Sequence, residues 1–201
     1  NKLLKQISFQ PSLEDTLDIW DMQLLQYGES IIKRRSQFIE EIGETVTKVN
    51  ENLTGNKEHL QMLYEPDVTI DEFANKLNNY RERDKKLFST SVGPHRDDLC
   101  FMNKDIDIRK YGSQGQQRTC ALSLKLAEIE IVKNMTGDSP VLLLDDVLSE
   151  LDRNRQNYLL DSIHDIQTII TCTGIEEFID SRLTLDRIFR IKEGTVFIEK
   201  E

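Results

Sequence analysis

The sequence has little cysteine, no long apolar run and no leader-like start, and each shortage excludes a class of protein. Among 201 residues, the cysteines are Cys100, Cys120 and Cys172, far apart and without a CxxC pair. This argues against a disulfide framework and predicts three small core residues in a reducing, cytoplasmic setting. The longest apolar run, residues 141–144, is too short to span a membrane, so we expect no membrane association. No signal peptide is visible, and since the first residue is Asn1 rather than Met, we expect a processed or truncated piece.

Basic residues are in the minority. The chain carries 26 Lys+Arg against 36 Asp+Glu, a formal net charge of −10, and the parts before and after residue 90 are both net acidic. Neither part is a basic domain, so a nucleic-acid site must be local or lie outside this chain. The three histidines, His59, His95 and His164, are scattered, which argues against a structural zinc site.

A long helical pattern dominates the first part. The capping box at residues 12–15 (SLED) predicts a helix start. Apolar residues then alternate in steps of four and three from Leu13 to Leu53, and Gly55 is the predicted stop. One interpretation is an amphipathic helix packed on its own domain. The other is an arm that pairs with a second chain.

A second capping box, residues 69–72, predicts a helix that runs to about residue 87. A basic cluster lies near its end, where it is either a solvated face that complements the helix dipole or a patch that contacts phosphate. The cluster consists of Arg81, Arg83, Lys85 and Lys86.

The second part alternates strands and helices. We predict helices at residues 115–135 and 152–163, and strands at residues 59–66, 97–103, 105–110, 141–145, 168–171, 187–191 and 195–199. The strand at 141–145 should be buried on both faces, and Glu193-Gly194 is a good hairpin turn. Strand, helix and strand at this spacing imply parallel pairing. The predicted fold class is α/β, with a mainly helical lobe at residues 1–90.

Paired carboxylates end the most apolar strand. Asp145 and Asp146 follow residues 141–144 (VLLL), at the strand end where open α/β sheets bind ligands. In nucleotide hydrolases the first such Asp holds Mg²⁺ and the next acid positions the attacking water, because Mg²⁺ prefers oxygen ligands beside phosphates. Taken alone, the pattern is weak, because a strand that ends in Asp-Asp is often only a strand followed by a turn.

Two further motifs flank that strand. Residues 111–119 (YGSQGQQRT) lie between a strand and a helix, where small residues, the Ser113 hydroxyl and the helix N-terminus form an anion site or simply a capped helix start. Residues 149–152 (SELD) follow the paired acids, and Asp152 alone is explained as a helix cap. The order and spacing of the three motifs together are specific.

With residues 91–99 (SVGPHRDDL), this order resembles the RecF family of ATP-binding-cassette (ABC) ATPases, most densely over residues 91–173. The resemblance implies that residues 91–201 are the C-terminal part of an ABC-type core, related to the SMC and Rad50 heads, beside the helical lobe. It implies a signature loop that contacts ATP held by a partner subunit, at Ser113, Gln114, Gly115 and Gln116. It also implies Asp145 as the Mg²⁺ carboxylate, Asp146 as the catalytic acid, and a D-loop at Ser149, Glu150, Leu151 and Asp152.

Three features of the resemblance leave questions open. A family hallmark without a derivable role covers Gly93, Pro94, His95, Arg96 and Asp97; within it, Arg96 either touches phosphate or DNA or pairs with an acid. The P-loop pattern GxxxxGK[ST] is absent from the chain, so we expect the nucleotide-gripping part to precede it. Where many ABC ATPases have a switch His, this chain has Thr171-Cys-Thr173, so Thr171 or Thr173 is the candidate hydroxyl donor.

The resemblance implies an ATP-dependent DNA-binding protein of DNA replication and recombinational repair, including the SOS response. ATP and Mg²⁺ would drive homodimerisation on DNA gaps or single-strand/double-strand junctions, with slow hydrolysis, in cooperation with RecO and RecR. Two alternatives stay open. One is a non-catalytic protein-interaction fragment, since the chain lacks a P-loop. The other is the head of a different SMC/Rad50-type ATPase, although a 40-residue helix spans only about 60 Å.

Overall fold

A computed structural model describes residues 1–173 and 186–200. The helices are α1 (Lys2–Ile7), α2 (Leu17–Thr54), α3 (Ile70–Leu87), α4 (Ile108–Tyr111), α5 (Gln114–Thr136) and α6 (Arg153–Ser162). The strands are β1 (Leu60–Glu65), β2 (Asp98–Asn103), β3 (Ile106–Asp107), β4 (Leu142–Asp145), β5 (Thr168–Thr171), β6 (Ile188–Lys192) and β7 (Thr195–Lys200). Within these ranges, no helix is both long and apolar enough to cross a membrane.

The long helix α2 starts later than its sequence predicts. Pro11–Thr16 forms a 3₁₀ helix, and α2 begins at Leu17, so the predicted start at residues 12–15 is wrong. The predicted stop is confirmed: Gly55 adopts a left-handed conformation with φ of 60°, which glycine enters without steric cost.

The buried stripe of α2 is not the predicted one in its first half. Ile32 and Ile39 are buried, whereas Trp20 and Tyr27 of the predicted stripe are 57% and 64% exposed. A straight α-helix has 3.6 residues per turn, so a stripe with a 3.5-residue period drifts around it. The second half of the predicted stripe, through Val46, Val49 and Leu53, is buried.

An antiparallel sheet with the order β1-β2-β3 packs beside α2. Its third strand is much shorter than the prediction for residues 105–110, because the Asp107 carboxylate accepts the backbone N–H groups of Arg109 and Lys110 and so starts α4. Since β1 pairs with β2, the first and second parts of the chain share this sheet. The division at residue 90 stays a prediction, and residues 174–185 and 201 of the second part lie outside the described ranges.

The strands β4 and β5 pair in parallel, and Asp145 lies opposite Thr171 in the register. This confirms the predicted parallel pairing with an intervening helix, α6. The prediction that β4 is buried on both faces is wrong in the described part of the chain: Leu144 is 6% exposed, but Leu143 is 70% exposed and Ile169 of β5 is 57% exposed. Alternate residues of a strand point to opposite faces, so one face is packed and the other is open.

Two apolar cores organise these elements. The larger one joins the end of α2 to α5, α6 and β4, and includes Val46, Leu126, Leu144 and Leu159. The smaller one joins the first half of α2 to α3 around Phe73. The β6–β7 hairpin is antiparallel as predicted, with positive φ angles at Glu193 and Gly194 in its turn.

Candidate functional site

The paired acids lie at the carboxyl edge of the β4–β5 pair, and both are exposed. The Thr171 hydroxyl donates a 2.5 Å hydrogen bond to Oδ1 of Asp145. The structure therefore brings one switch candidate directly to the predicted metal carboxylate. Among the residues that the structure describes, none forms such a contact with Thr173, which lies two residues further on and is exposed.

The backbone holds Asp146 in an unusual conformation. Its φ is 51°, and its N–H points to the backbone carbonyl of Thr171 at 3.2 Å and to the Thr171 hydroxyl oxygen at 3.1 Å. Its carbonyl accepts the Ser149 hydroxyl at 2.9 Å. A left-handed Asp costs conformational energy, and such residues concentrate at functional sites.

The predicted D-loop forms a short 3₁₀ helix, Leu148–Glu150, followed by the N-cap of α6. The Asp152 carboxylate accepts the backbone N–H groups of Asn154 and Arg155 at 3.0 and 3.1 Å and pairs with the Arg155 side chain at 3.1 Å. Leu151 is half-buried against the larger core. The side chain of Glu150 lies outside the described part. Asp152 is thus a helix cap, and the role of this loop at an interface stays a prediction.

The predicted signature loop begins α5. Ser113 is its N-cap and forms a complete capping box: its hydroxyl oxygen accepts the Gln116 N–H at 3.3 Å, and the Gln116 side chain accepts the Ser113 N–H at 3.0 Å. Ser113, Gln114 and Gly115 are exposed. Free N–H groups and the positive end of the helix dipole favour an anion at this position.

Sequence reasoning missed the residues that hold the signature loop in place. The Gln117 amide donates to the carbonyls of Ile108 and Arg109, both at 3.2 Å. A Cβ on Gly112 would lie 2.5 Å from the Ile108 carbonyl oxygen, so only glycine fits between α4 and α5. The glycine itself was visible in the motif, but its close approach to α4 is a tertiary feature.

The hallmark segment surrounds a buried carboxylate. The Asp97 side chain is 3% exposed and accepts hydrogen bonds from Arg35 of α2 at 2.8 Å, from the Tyr64 hydroxyl of β1, and from the Asp67 N–H at 3.1 Å. Burial and the hydrogen bond to Asp97 raise the pKa of Tyr64 to about 12. Asp97 therefore ties α2, β1 and the turn after β1 together.

The hallmark also has an exposed side. Gly93 and Pro94 are buried, whereas His95 and Arg96 are exposed. His95 Nε2 lies 2.9 Å from the Thr90 carbonyl oxygen. No carboxylate among the described residues pairs with Arg96, so the ion-pair interpretation is not realised within them. Contact of Arg96 with phosphate or DNA stays a prediction.

Two side chains of the basic cluster at the end of α3 form ion pairs within the chain. Arg81 pairs with Asp18 at 2.6 Å, and Lys85 pairs with Glu14 at 2.6 Å, so both dock α3 against the start of the lobe. Arg83 lies 5.4 Å from the Tyr80 ring centroid. The ion pairs favour a structural role for Arg81 and Lys85.

The cysteine prediction holds at two positions. Cys100 and Cys120 are buried, and burial raises the pKa of Cys120 to about 11. The prediction is wrong for Cys172, which is exposed directly after Thr171, since β5 ends at the open sheet edge.

The paired acids suit Mg²⁺ only in combination with a nucleotide. In the described part, no three His, Cys, Asp or Glu side chains cluster closely enough to hold a metal ion. Mg²⁺ sites beside phosphates commonly use one or two carboxylates and take the other ligands from phosphate and water. The exposed oxygens of Asp145 and Asp146 fit that donor set.

Comparison with known proteins identifies one consistent group of relatives, although no family model matches the chain. The chain is 57% identical over 201 residues to the DNA replication and repair protein RecF of Lachnospira eligens, covering 99% of this chain and 55% of that protein. It is 45% identical over 188 residues to the RecF of Clostridium perfringens, covering 91% and 52%. The chain spans about half the length of the curated relatives it matches.

Solved structures agree with these relatives. A structure of "the recombination mediator protein RecF-ATP in RecFOR pathway" superimposes with a TM-score of 0.83 at 38% identity, covering 98% of this chain and 54% of that one. The corresponding RecF-ATPrS structure gives a TM-score of 0.81 with the same identity and coverage. The comparisons confirm the resemblance and the α/β fold of ABC ATPase type, and they fit a C-terminal part of such a protein.

Proposed function

We propose that this chain, which fits the C-terminal part of a RecF-family protein, supplies the signature loop and the catalytic acids of an ATP-dependent DNA-binding protein of recombinational repair. In the intact protein, ATP and Mg²⁺ lie between two subunits. The signature loop of one subunit faces the nucleotide held by the P-loop of the other, and closing the dimer orders a DNA-binding surface. Slow hydrolysis at Asp145 and Asp146 then releases it.

The observation that carries this proposal is the arrangement at the end of β4. Thr171 orients the Asp145 carboxylate through its 2.5 Å hydrogen bond, and the next residue, Asp146, carries a second exposed carboxylate on a left-handed backbone. Ligands of open α/β sheets bind at this edge. Phosphoryl transfer uses a carboxylate that serves a metal and a group that positions the attacking water, and two neighbouring acids suit these two roles.

The exposure of the signature loop supports a site shared between subunits. Ser113 lies at the surface, and its hydroxyl oxygen accepts the Gln116 N–H, so its own proton has no acceptor among the described residues. That proton and the N-terminal N–H groups of α5 are available to an anion presented from outside the chain. A Ser113 buried in the core would exclude this arrangement.

Bound Mg²⁺ would neutralise charge that develops on the transferred phosphoryl group. Asp145 would hold the ion, directly or through water. Asp146 would position the attacking water and accept its proton. Thr171 fixes the Asp145 Oδ1 atom, which leaves Oδ2 for the metal or its water shell.

The wider role follows from the resemblance and from the names of the relatives. We propose that the intact protein binds DNA at gaps or single-strand/double-strand junctions and acts in the cytoplasm in replication, repair and the SOS response. RecO and RecR are the proposed partners. The acidic balance of this chain, −10, means that its DNA contacts are local or come from the remainder of the protein.

The decisive experiment tests ATP-dependent dimerisation of the full-length protein by analytical ultracentrifugation. Gly115→Glu places a negative charge at the proposed phosphate position. A Cβ there would touch only the Ser113 Oγ at 4.0 Å, and an acidic residue in the first turn favours the helix, so the fold should be retained. We expect Gly115→Glu and Ser113→Arg to abolish dimerisation while each monomer still binds ATP.

The matched control is Ser139→Arg, which adds the same side chain at an exposed position beyond the other end of β4. It should dimerise like the unmodified protein. If Gly115→Glu also dimerises normally with ATP, the shared nucleotide site is refuted. A full-length protein that stays monomeric with ATP would equally refute it and would favour a protein-interaction role.

A further inference from the structure

The last aspartate of the hallmark and the aspartate that follows it contact different parts of the molecule. Asp97 is buried and binds Arg35 of α2 at 2.8 Å. Asp98, the next residue, starts β2 and is half-exposed. Its carboxylate accepts two hydrogen bonds from the Arg109 guanidinium, both at 2.7 Å. Two neighbouring residues therefore contact the helical lobe, through Asp97, and α4, through Asp98.

The Asp98–Arg109 pair has the two-pronged geometry in which a planar guanidinium matches a carboxylate. The hydrogen bonds from Arg109 lower the pKa of Asp98 to about 2, so the pair stays charged across the physiological pH range. Both side chains are about half-exposed, at 50% and 51%, and exposed ion pairs contribute little to folding stability. The pair does connect α4, which carries Arg109, to the start of β2, which carries Asp98.

Helix α4 in turn determines where the signature loop lies. The Gly112 N–H donates to the Ile108 carbonyl at 3.0 Å, and the Gln117 amide spans the gap from α5 to the carbonyls of Ile108 and Arg109. A Cβ at Gly112 would collide with the Ile108 carbonyl oxygen, so the chain between α4 and α5 packs too closely against α4 to accept any residue except glycine. Residues 108–117 thus form one tightly connected corner with Ser113 at its exposed tip.

We infer that Asp98 and Arg109 are positioning residues for the signature loop, which they couple to the helical lobe through the neighbouring Asp97–Arg35 pair. The inference rests on the proposed function, in which Ser113 and Gly115 meet a nucleotide across the dimer. A displacement of α2 would move Asp97 through Arg35. Because Asp98 is the next residue and pairs with Arg109 of α4, α4 and the signature loop would move with it. The hallmark segment thereby acquires a role: its buried acid holds the lobe and the acid that follows it holds the corner before α5.

The test compares three properties of the full-length protein: ATP affinity of the monomer, ATP-dependent dimer association, and Tm. Arg109→Gln removes the charge and the two-pronged contact, and Arg109→Lys keeps the charge but loses that geometry. We expect both to weaken ATP-dependent dimerisation, the first by about tenfold, in the usual range of coupling between sites. Monomer ATP affinity and Tm should stay unchanged, because the pair is exposed.

The combined exchange Asp98→Arg with Arg109→Asp restores an ion pair and should recover much of the lost dimerisation. Lys125→Gln is the matched control, since Lys125 forms an exposed ion pair with Glu128 on α5 at 2.9 Å without touching the corner. It should leave dimerisation unchanged.

The outcomes separate the inference from the proposed function. If the unmodified protein dimerises with ATP and Arg109→Gln behaves like Lys125→Gln, the inference is overturned and the proposed function stands. If Arg109→Gln lowers Tm in parallel with dimerisation and the exchange variant recovers neither, the pair is merely structural and the inference is again overturned. If the unmodified protein does not dimerise with ATP, both fall.

Discussion

The Thr171 hydroxyl donates a hydrogen bond to Oδ1 of Asp145 across the ends of two parallel strands, at 2.5 Å. The same hydroxyl oxygen lies 3.1 Å from the Asp146 N–H. One side chain therefore contacts both members of the acidic pair. Thr171 and Thr173 were both candidates for the position where many ABC ATPases have a switch histidine, and this contact favours Thr171 as a residue that orients a carboxylate in the proposed ATPase.

Removing the Thr171 hydroxyl should slow ATP turnover. Thr171→Val keeps the shape of the side chain but loses the hydrogen bond, and we expect the full-length protein to lose about tenfold in hydrolysis rate, as is usual for groups that orient metal-site ligands. Thr171→Ser retains the hydroxyl and should stay near the original rate. Steady-state phosphate release measures both, and equal rates for Val and Ser would exclude this orienting role.

Neutralising Asp146 should abolish turnover without abolishing ATP binding. An amide cannot accept the proton of the attacking water, so we expect Asp146→Asn to lower hydrolysis by about 10²–10⁴-fold. Asn tolerates the left-handed backbone at φ 51° at least as well as Asp, so the backbone should not rearrange. Asp138→Asn, an exposed change beyond the other end of β4, is the control. Hydrolysis that persists in Asp146→Asn would remove this residue from the catalytic role.

The Tyr64–Asp97 hydrogen bond should appear as a pH dependence of stability in the alkaline range. The pKa of Tyr64 is raised from 10.0 to about 12 by burial and by Asp97. The folded state therefore keeps this proton where the unfolded state releases it, so its contribution is complete below pH 10 and is lost as pH rises towards 12. Denaturant unfolding of the original protein and of Tyr64→Phe should differ most below pH 10. A difference that does not shrink above pH 10 would contradict the assignment.

The close approach of α2 to α3 should make Gly28 intolerant of a side chain. A Cβ at Gly28 would lie 2.5 Å from Cε1 of Phe73, a fully buried ring, so Gly28→Ala should lower the free energy of unfolding by about 1–3 kcal/mol. Gly43 lies in the same helix, and a Cβ there would meet only the Met62 carbonyl oxygen at 4.0 Å. Gly43→Ala should raise the free energy of unfolding by about 0.5–1 kcal/mol, since Ala favours a helix more than Gly does. Denaturant titration of both variants measures the two changes in the free energy of unfolding. Changes of the same sign would contradict the prediction.

Local patterns predicted most elements, and the errors have identifiable causes. The hairpin and the caps at Ser113 and Asp152 depend on residues close in sequence, which is why they were predictable. The parallel pairing was predictable for a different reason, since two strands separated by a helix usually pair in parallel. The strand predicted at residues 105–110 was too long because Asp107 caps a helix, and that competition between a strand pattern and a side-chain cap is hard to judge in advance.

The chain order of the motifs by itself predicted the family resemblance and singled out Asp145, Asp146 and Ser113 as candidate residues, because carboxylates at strand ends and hydroxyl groups at helix starts suit phosphate ligands. Only the tertiary structure decided which groups meet. The contacts of Thr171 with Asp145, Asp97 with Arg35, and Asp98 with Arg109 join residues 26, 62 and 11 positions apart. Such pairs are created by packing, and no local propensity encodes their distance or orientation.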